Sequence, residues 1–215
     1  MITTGAVAGV AAVALGMVLT PGPNMIYLVS RSLTQGRTAG LVSLSGVALG
    51  FLIYLTAANL GLSVVFAVVP GLYLAVKLAG ACYLGWLAWR TLRPGGTSAF
   101  TRRDLPPESA RRLFGMGLLT CLLNPKIALM YLSLIPQFVD PEAGHVMAQG
   151  FLLGGVQVLV GVAVNGMFVL AAGAIAAFLG RRPGWLAAQR YVMGGVLGAL
   201  AVHLALDNNR PTRPA

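Results

Sequence analysis

Thr20-Pro21-Gly22-Pro23-Asn24 interrupts a stretch that is otherwise apolar from Ala6 to Val29. Two prolines flanking a glycine do not continue a helix, because each removes a backbone donor and clashes with the preceding turn. Lipid offers the freed backbone groups no hydrogen bonds, so broken backbone at membrane depth faces protein or a polar cavity. A second break, Asn124-Pro125-Lys126, lies within the apolar stretch from Leu113 to Val139. One such break alone reads as a proline kink. Two interrupted helices in corresponding places point to a transporter built from two repeats, with its site near the bilayer midplane.

Composition supports a membrane setting for both breaks. Of the 215 residues, 57% are hydrophobic and only 9% are charged, against about 45–50% and about 25% in soluble domains. The formal net charge of +10 does not indicate a nucleic-acid partner. The arginines stand between apolar segments, with no aromatic-basic patch, and read as topology signals. Cys82 and Cys121 both fall in apolar segments without paired spacing, so buried free thiols are expected, with no disulfide or metal framework. The first apolar run has no Lys or Arg before it and no small-x-small cleavage pattern, and is expected to be a retained span.

A spanning helix needs about 20 apolar residues, and six stretches meet or approach that length: 4–30 (broken), 38–60, 71–92, 113–139 (broken), 147–179 and 191–206. The predicted fold is an all-α integral membrane protein of six transmembrane helices, with helices 1 and 4 broken at their Pro motifs. Its divisions are a first three-helix repeat (1–92), a connector (93–112), a second three-helix repeat (113–206) and a C-terminal tail (207–215). Within the connector, Pro106 and Pro107 are suited to the first turn of a short surface helix, with Glu108 near its positive end. Arg31 and Arg37, the group from Arg90 to Arg112, and Arg181, Arg182 and Arg190 all fall on one side of the alternating spans. The loops 61–70 and 140–146 contain no Lys or Arg. The positive-inside rule therefore puts the Arg-bearing loops in the cytoplasm and both termini outside. Three spans per half is an odd number, so the second half is inverted relative to the first. A gapless slide of 104 positions aligns Pro21 with Pro125, Tyr27 with Tyr131, Gly40 with Gly144 and Gly50 with Gly154. Gly36/Gly40, Gly46/Gly50, Gly150/Gly154 and Gly194/Gly198 have the small-xxx-small spacing that lets helix backbones approach in lipid.

Lys126 is the sharpest single residue. It sits about halfway along the fourth span, where a lysine costs about 2.5–3.5 kcal/mol. It lies about thirteen residues, roughly 20 Å, from the end, too far to snorkel. No Asp or Glu falls in any predicted span, so its partner is either backbone carbonyls at the breaks or an anionic ligand such as an amino-acid carboxylate. Asn24 and Asn124 accompany the breaks and either satisfy freed backbone groups or bind ligand. Tyr27 and Tyr131 follow within two turns and are expected to wall the cavity. The candidate substrate site is thus Pro21, Gly22, Pro23, Asn24, Tyr27, Asn124, Pro125, Lys126 and Tyr131. Asn59, Gln157 and Asn165 either line a path or, the better reading, bond between helices, and Lys77 is expected to snorkel. Asp140, Glu142 and His145 read as a solvated loop. No catalytic set, cofactor or metal site is expected. Ser63 and His203 are the only pair for an intramembrane hydrolase, and the sequence around Ser63 lacks a nucleophile elbow.

Pro21-Gly22-Pro23-Asn24, Ser30-Arg31-Ser32 and Gly36-Arg37-Thr38-Ala39-Gly40 resemble the start of the lysine exporter (LysE/RhtB) family. Lys77-Leu78-Ala79-Gly80-Ala81-Cys82-Tyr83-Leu84 is similar to its third-helix signature. Leu123-Asn124-Pro125-Lys126, with Pro136-Gln137-Phe138, is similar to its second-half motif. The resemblance covers nearly the whole chain in order. It implies six membrane helices in the bacterial inner membrane and proton-driven export of amino acids or close derivatives. The family often carries an acid just after the glycine of the second helix, where this chain has Phe51. That departure points to a neutral, threonine- or homoserine-like substrate. The partners implied are a small-molecule substrate and membrane lipid, with no nucleic acid, and a homo-oligomer is compatible with the sequence. The alternative on the same fold is export of metal ions or other small solutes, for which Cys82 and Cys121 are the only thiols.

The topology is testable directly. Single cysteines placed at either terminus are expected to react with an impermeant maleimide on intact cells, and cysteines within 93–112 only after permeabilisation. Termini found in the cytoplasm overturn the inverted arrangement.

Overall fold

The computed structural model describes residues 2–20, 22–62 and 106–180, together with 78, 81–82, 85–86, 88–89, 92–93, 191, 195, 198–199, 201–202 and 205–206. Most of the predicted third and sixth spans, Lys77, Ser63, His203, most of the connector and the tail therefore lie outside the described residues. Among the described residues the protein is all-helical, with no strand. Helix α1 is Thr4–Leu19, α2 Pro23–Gln35 and α3 Arg37–Ala57, which runs into a π-helical turn, Ala58–Leu62. Helix α4 is Ala110–Leu122 and α5 Pro125–Leu129. The chain continues from α5 through a π turn, Met130–Leu134, and a 3-10 turn, Ile135–Phe138, and α6 is Val146–Gly180.

Two helices are long and apolar enough to cross a membrane by themselves, Arg37–Leu60 and Val146–Ile175. The pairs Thr4–Leu19 with Pro23–Gln35, and Ala110–Leu122 with Pro125–Phe138, pass the same length and composition test jointly. They bend by 56° and 51° at their junctions. The local chemistry accounts for the second halves. Pro23 and Pro125 each occupy the first helical position, behind Gly22 and Asn124 as N-caps, where the missing N–H costs nothing and the fixed φ suits the helix. These two helix starts are 102 residues apart, not the 104 of the gapless alignment. The matched prolines and tyrosines of that alignment are therefore not equivalent by position in their helices.

Gly36 ends α2 and opens α3 with φ 91°, a left-handed conformation that glycine adopts without strain. A Cβ there would meet nothing within 4 Å, so Gly36 is a turn residue and not the packing partner of Gly40. Gly194 lies outside the described residues, and glycines of α3, α4 and α6 do pack helices. α3 lies most extensively against α4. A Cβ on Gly46 would run into the backbone oxygen of Phe114, and one on Gly117 into that of Ser43. Gly50 abuts the Cys121 side chain, Gly154 the Leu55 side chain and Gly150 the Asn59 amide. Close backbone approach takes the place of the hydrophobic driving force that lipid removes. The core that results joins Val10, Leu28, Val47, Phe51, Tyr131, Leu153 and Val169, all at most 2% exposed.

Pro106 and Pro107 do not start a helix. Residues 106–109 are irregular and α4 begins at Ala110, with Ser109 as its cap accepting from Arg112 N at 3.4 Å. Glu108 is held in place of a helix turn. Its backbone N–H donates to Gln35 Oε1 at 2.9 Å, its carbonyl accepts from Gln35 Nε2 at 2.6 Å, and its carboxylate lies 3.9 Å from Arg31 and 3.1 Å from Arg112.

Gly117→Ala and Gly46→Ala set a side chain against backbone that has nowhere to go, and each is expected to destabilise by about 1–3 kcal/mol. Gly155→Ala, whose Cβ meets nothing within 4 Å, is expected to be neutral. Thermal unfolding in one detergent compares the three. Equal melting temperatures contradict the packing described.

Candidate functional site

The helix breaks converge on one small cavity. α1 stops at Leu19, and Thr20 leaves the helix in extended conformation with Oγ1 donating back to Gly16 O at 2.8 Å. Its carbonyl accepts from Lys126 Nζ at 2.7 Å. Lys126 is 4% exposed, and its side chain runs along Gly22, where a Cβ would stand 3.5 Å from both Cδ and Nζ. The C-terminal end of a helix carries partial negative charge, so the end of α1 is a reasonable seat for an ammonium that lipid cannot solvate. Of the two sources of a partner open from the sequence, backbone at the break supplies this one.

Asn124 links the two breaks. Its Oδ1 caps α5 by accepting from Lys126 N at 3.1 Å, and its Nδ2 donates to Asn24 Oδ1 at 3.1 Å. Both asparagines are at least 95% buried. Asn24 Nδ2 has no hydrogen-bond partner, with the weakly accepting Cys121 thiol beside it, and Asn165 Oδ1 on α6 has none either. The Asn165 Nδ2 is used on Gly161 O at 2.7 Å within its own helix. An unpaired donor and an unpaired acceptor buried in one cavity are costly in a resting protein.

The cavity measures about 30 Å³, space for one or two waters and too little for an amino acid. Gly22, Asn24, Asn124 and Lys126 line it, as do Thr20, Gln157 and Asn165, with Ala14, Met17, Val18, Phe51, Ile127 and Met130 forming its apolar wall. Pro23 and Pro125 set the helix starts and do not line it. Pro21 lies outside the described residues. The two tyrosines are placed differently from expectation. Tyr131 stands behind the wall, its hydroxyl bonded to Gln157 Oε1 and its ring stacked on Tyr54 at 5.8 Å. Tyr27 faces away, its hydroxyl 3.1 Å from Ser43 Oγ and donating to Leu113 O at 2.9 Å. It lines a second cavity of about 420 Å³ between α2 and α4, with Ile26, Arg31, Met116 and Leu119. Tyr27 stands four residues after the Pro23 helix start and Tyr131 six after that of Pro125, so the two tyrosines do not share a face.

Among the described residues Asn59 bonds within its own helix, its Nδ2 donating to Leu55 O at 2.8 Å. Arg31 is not a loop arginine. It is 7% exposed and donates to Pro106 O at 3.0 Å, with its guanidinium 6.0 Å from the Tyr27 ring centroid. Asp140 forms a turn by accepting from Glu142 N and Ala143 N. Gln149, which sequence reasoning passed over, clamps that loop through Asp140 N, Asp140 O and Gly144 O. Among the described residues no three His, Cys, Asp or Glu side chains are grouped to hold a metal ion. Of the apolar cavity residues, Met17 carries no sequence signal that separates it from ordinary core, and Phe51 is marked only by standing where the family often carries an acid.

Interrupted apolar helices enclosing a buried cation and unpaired amides define a multi-pass membrane protein with a polar internal site. The chain belongs to the LysE type translocator family, which matches residues 15–208, and is a transporter and not an enzyme. It is 28% identical over 197 residues to an uncharacterized membrane protein of Pseudomonas aeruginosa, covering 88% of this chain and 89% of that one. It is 27% identical over 196 residues to the leucine efflux protein of Salmonella typhimurium, covering 89% and 91%. It is 30% identical over 130 residues to the leucine efflux protein of Klebsiella pneumoniae, covering 60% and 61%. No solved structure gives a significant match.

Lys126→Met removes one charge-assisted hydrogen bond, about 1.5–3 kcal/mol, and relieves the cost of a lysine in the membrane, about 2.5–3.5 kcal/mol. The two nearly cancel, so the variant is expected to unfold in detergent within about 1 kcal/mol of the parent. A large loss of stability would assign Lys126 to bracing the break alone.

Proposed function

We propose that this protein is a secondary exporter that moves neutral amino acids out of the bacterial cytoplasm by alternating access, with the substrate held between the two helix breaks. The observation that carries the reading is the group of buried polar atoms in the central cavity: the Lys126 ammonium, the unpaired donor Asn24 Nδ2 and the unpaired acceptor Asn165 Oδ1. A zwitterion needs both kinds. Its carboxylate suits Lys126 Nζ and Asn24 Nδ2, and its ammonium suits Asn165 Oδ1 and the Thr20 carbonyl at the negative end of α1. The leucine efflux proteins among the relatives support an amino acid as cargo, and a neutral one. Threonine- and homoserine-like substrates belong to the same class.

The rest of the architecture follows the sequence. Each bent pair is read as one span, which with Arg37–Leu60 and Val146–Ile175 makes four. The stretches 71–92 and 191–206 supply the third and sixth, in two inverted repeats (1–92 and 113–206) joined by the 93–112 connector, with both termini outside the inner membrane. The cavity as observed is closed, and admitting an amino acid requires the two breaks to separate. Lys126 surrenders the Thr20 carbonyl to take the substrate carboxylate, so binding and opening share one hydrogen bond. Export is read as driven by the proton gradient. Lys126 is the cavity's titratable amine among the described residues, since no Asp or Glu lines it.

Counterflow in proteoliposomes tests the reading. Vesicles loaded with unlabelled leucine or threonine are expected to take up the labelled amino acid, faster when a pH gradient is imposed. Lys126→Met and Asn24→Ala are each expected to lower kcat/KM at least about tenfold, a loss of one charged hydrogen bond in a dry site. Competition by amines that lack a carboxylate, equal to that of amino acids, would overturn the carboxylate assignment.

A further inference from the structure

We infer that Phe51 sets the side-chain specificity of the central cavity, an assignment that rests on the amino-acid site proposed above. Phe51 stands on α3 with 1% of its surface exposed and forms part of the apolar wall of the cavity that Lys126 also lines. Its ring lies on the bare backbone of Gly161 in α6. A Cβ at residue 161 would be 3.0 Å from Phe51 Cε2, 3.3 Å from Cζ and 3.3 Å from Gln157 Nε2. The ring thus occupies the room that any larger residue at 161 would take, and glycine there is what lets it close that part of the cavity.

Phe51 and Asn165 bear on the same stretch of α6. Gly161 O accepts from Asn165 Nδ2, so the glycine that receives the ring also orients the amide whose free oxygen suits the substrate's ammonium. A substrate held through its carboxylate by Lys126 and its ammonium by Asn165 must direct its side chain into the remaining wall. That wall is Phe51 with Met17, Met130 and Ile127. It offers an aliphatic chain dispersion contacts and no hydrogen bonds. Among the described lining residues no carboxylate neutralises a cationic chain, and Lys126 repels one. The ring limits length and width, so aliphatic side chains are favoured over cationic and aromatic ones.

The experiment is counterflow of labelled alanine, leucine, phenylalanine and lysine by the full-length parent and by Phe51→Ala, Phe51→Leu and Gly161→Ala in proteoliposomes. The parent is expected to prefer leucine to phenylalanine and to lysine. Phe51→Ala is expected to raise the phenylalanine-to-leucine ratio of kcat/KM by about 10–200-fold, the range that one hydrophobic contact commands, with Phe51→Leu intermediate. Gly161→Ala, which pushes the ring into the cavity, is expected to lower leucine more than alanine. Phe51→Leu keeps a buried apolar side chain and reads the ratio if Phe51→Ala does not fold. Substrate ratios unchanged in Phe51→Leu and Gly161→Ala, with the parent active on amino acids, overturn the role of Phe51 alone. A parent that transports none of the four overturns the amino-acid site and this assignment with it.

Discussion

The hydrogen bond from Lys126 Nζ to the Thr20 carbonyl joins two chain breaks 106 residues apart, and the cavity is organised around it. A lysine at membrane depth must find acceptors, and a helix that ends in the membrane must find donors. Each break answers the other's need. The Asn124 side chain extends the same logic, capping α5 with its oxygen and holding Asn24 with its nitrogen. The apolar surroundings strengthen the bonds these groups make with one another.

Around that junction the helices are brought together by absent side chains. Gly46 and Gly117 lie on facing helices, each against the other helix's backbone, so α3 and α4 approach closely. Phe51 follows Gly50 on α3, and this packing helps bring its ring to the cavity wall, where it meets a further glycine on α6. The size of the cavity is therefore governed by backbone approach as much as by the residues that line it.

A second polar junction lies at the far end of α2. Gln35 exchanges two hydrogen bonds with the Glu108 backbone, while Arg31 reaches Pro106 O and the Glu108 carboxylate. It fastens the end of the first broken pair to the residues that lead into the second. The groove lined by Tyr27 and Arg31 runs between these two junctions. Arg31 and Gln35 thus act in packing, although in sequence they look like the basic and polar residues of an exposed loop.

The membrane class was legible in the sequence, and Lys126, Asn24 and Asn124, which it marked, line one cavity in the structure. Lipid makes every proline and every charge expensive, so their presence in apolar runs carries information that a soluble chain would not. The register between the two halves was not legible. In a chain rich in leucine and glycine, an offset of 104 gathers identities as readily as the 102 that the helix starts define, so matching Tyr27 with Tyr131 did not give them equivalent places. Nor did sequence single out Met17, and it marked Phe51 only as a departure from the family pattern and Gln157 and Asn165 chiefly as helix-bonding amides, because an amide or an apolar residue inside an apolar helix has the same local signature whether it packs or faces a site. Only the tertiary arrangement decided that, by fixing which face of each helix the close glycine contacts turned toward Lys126.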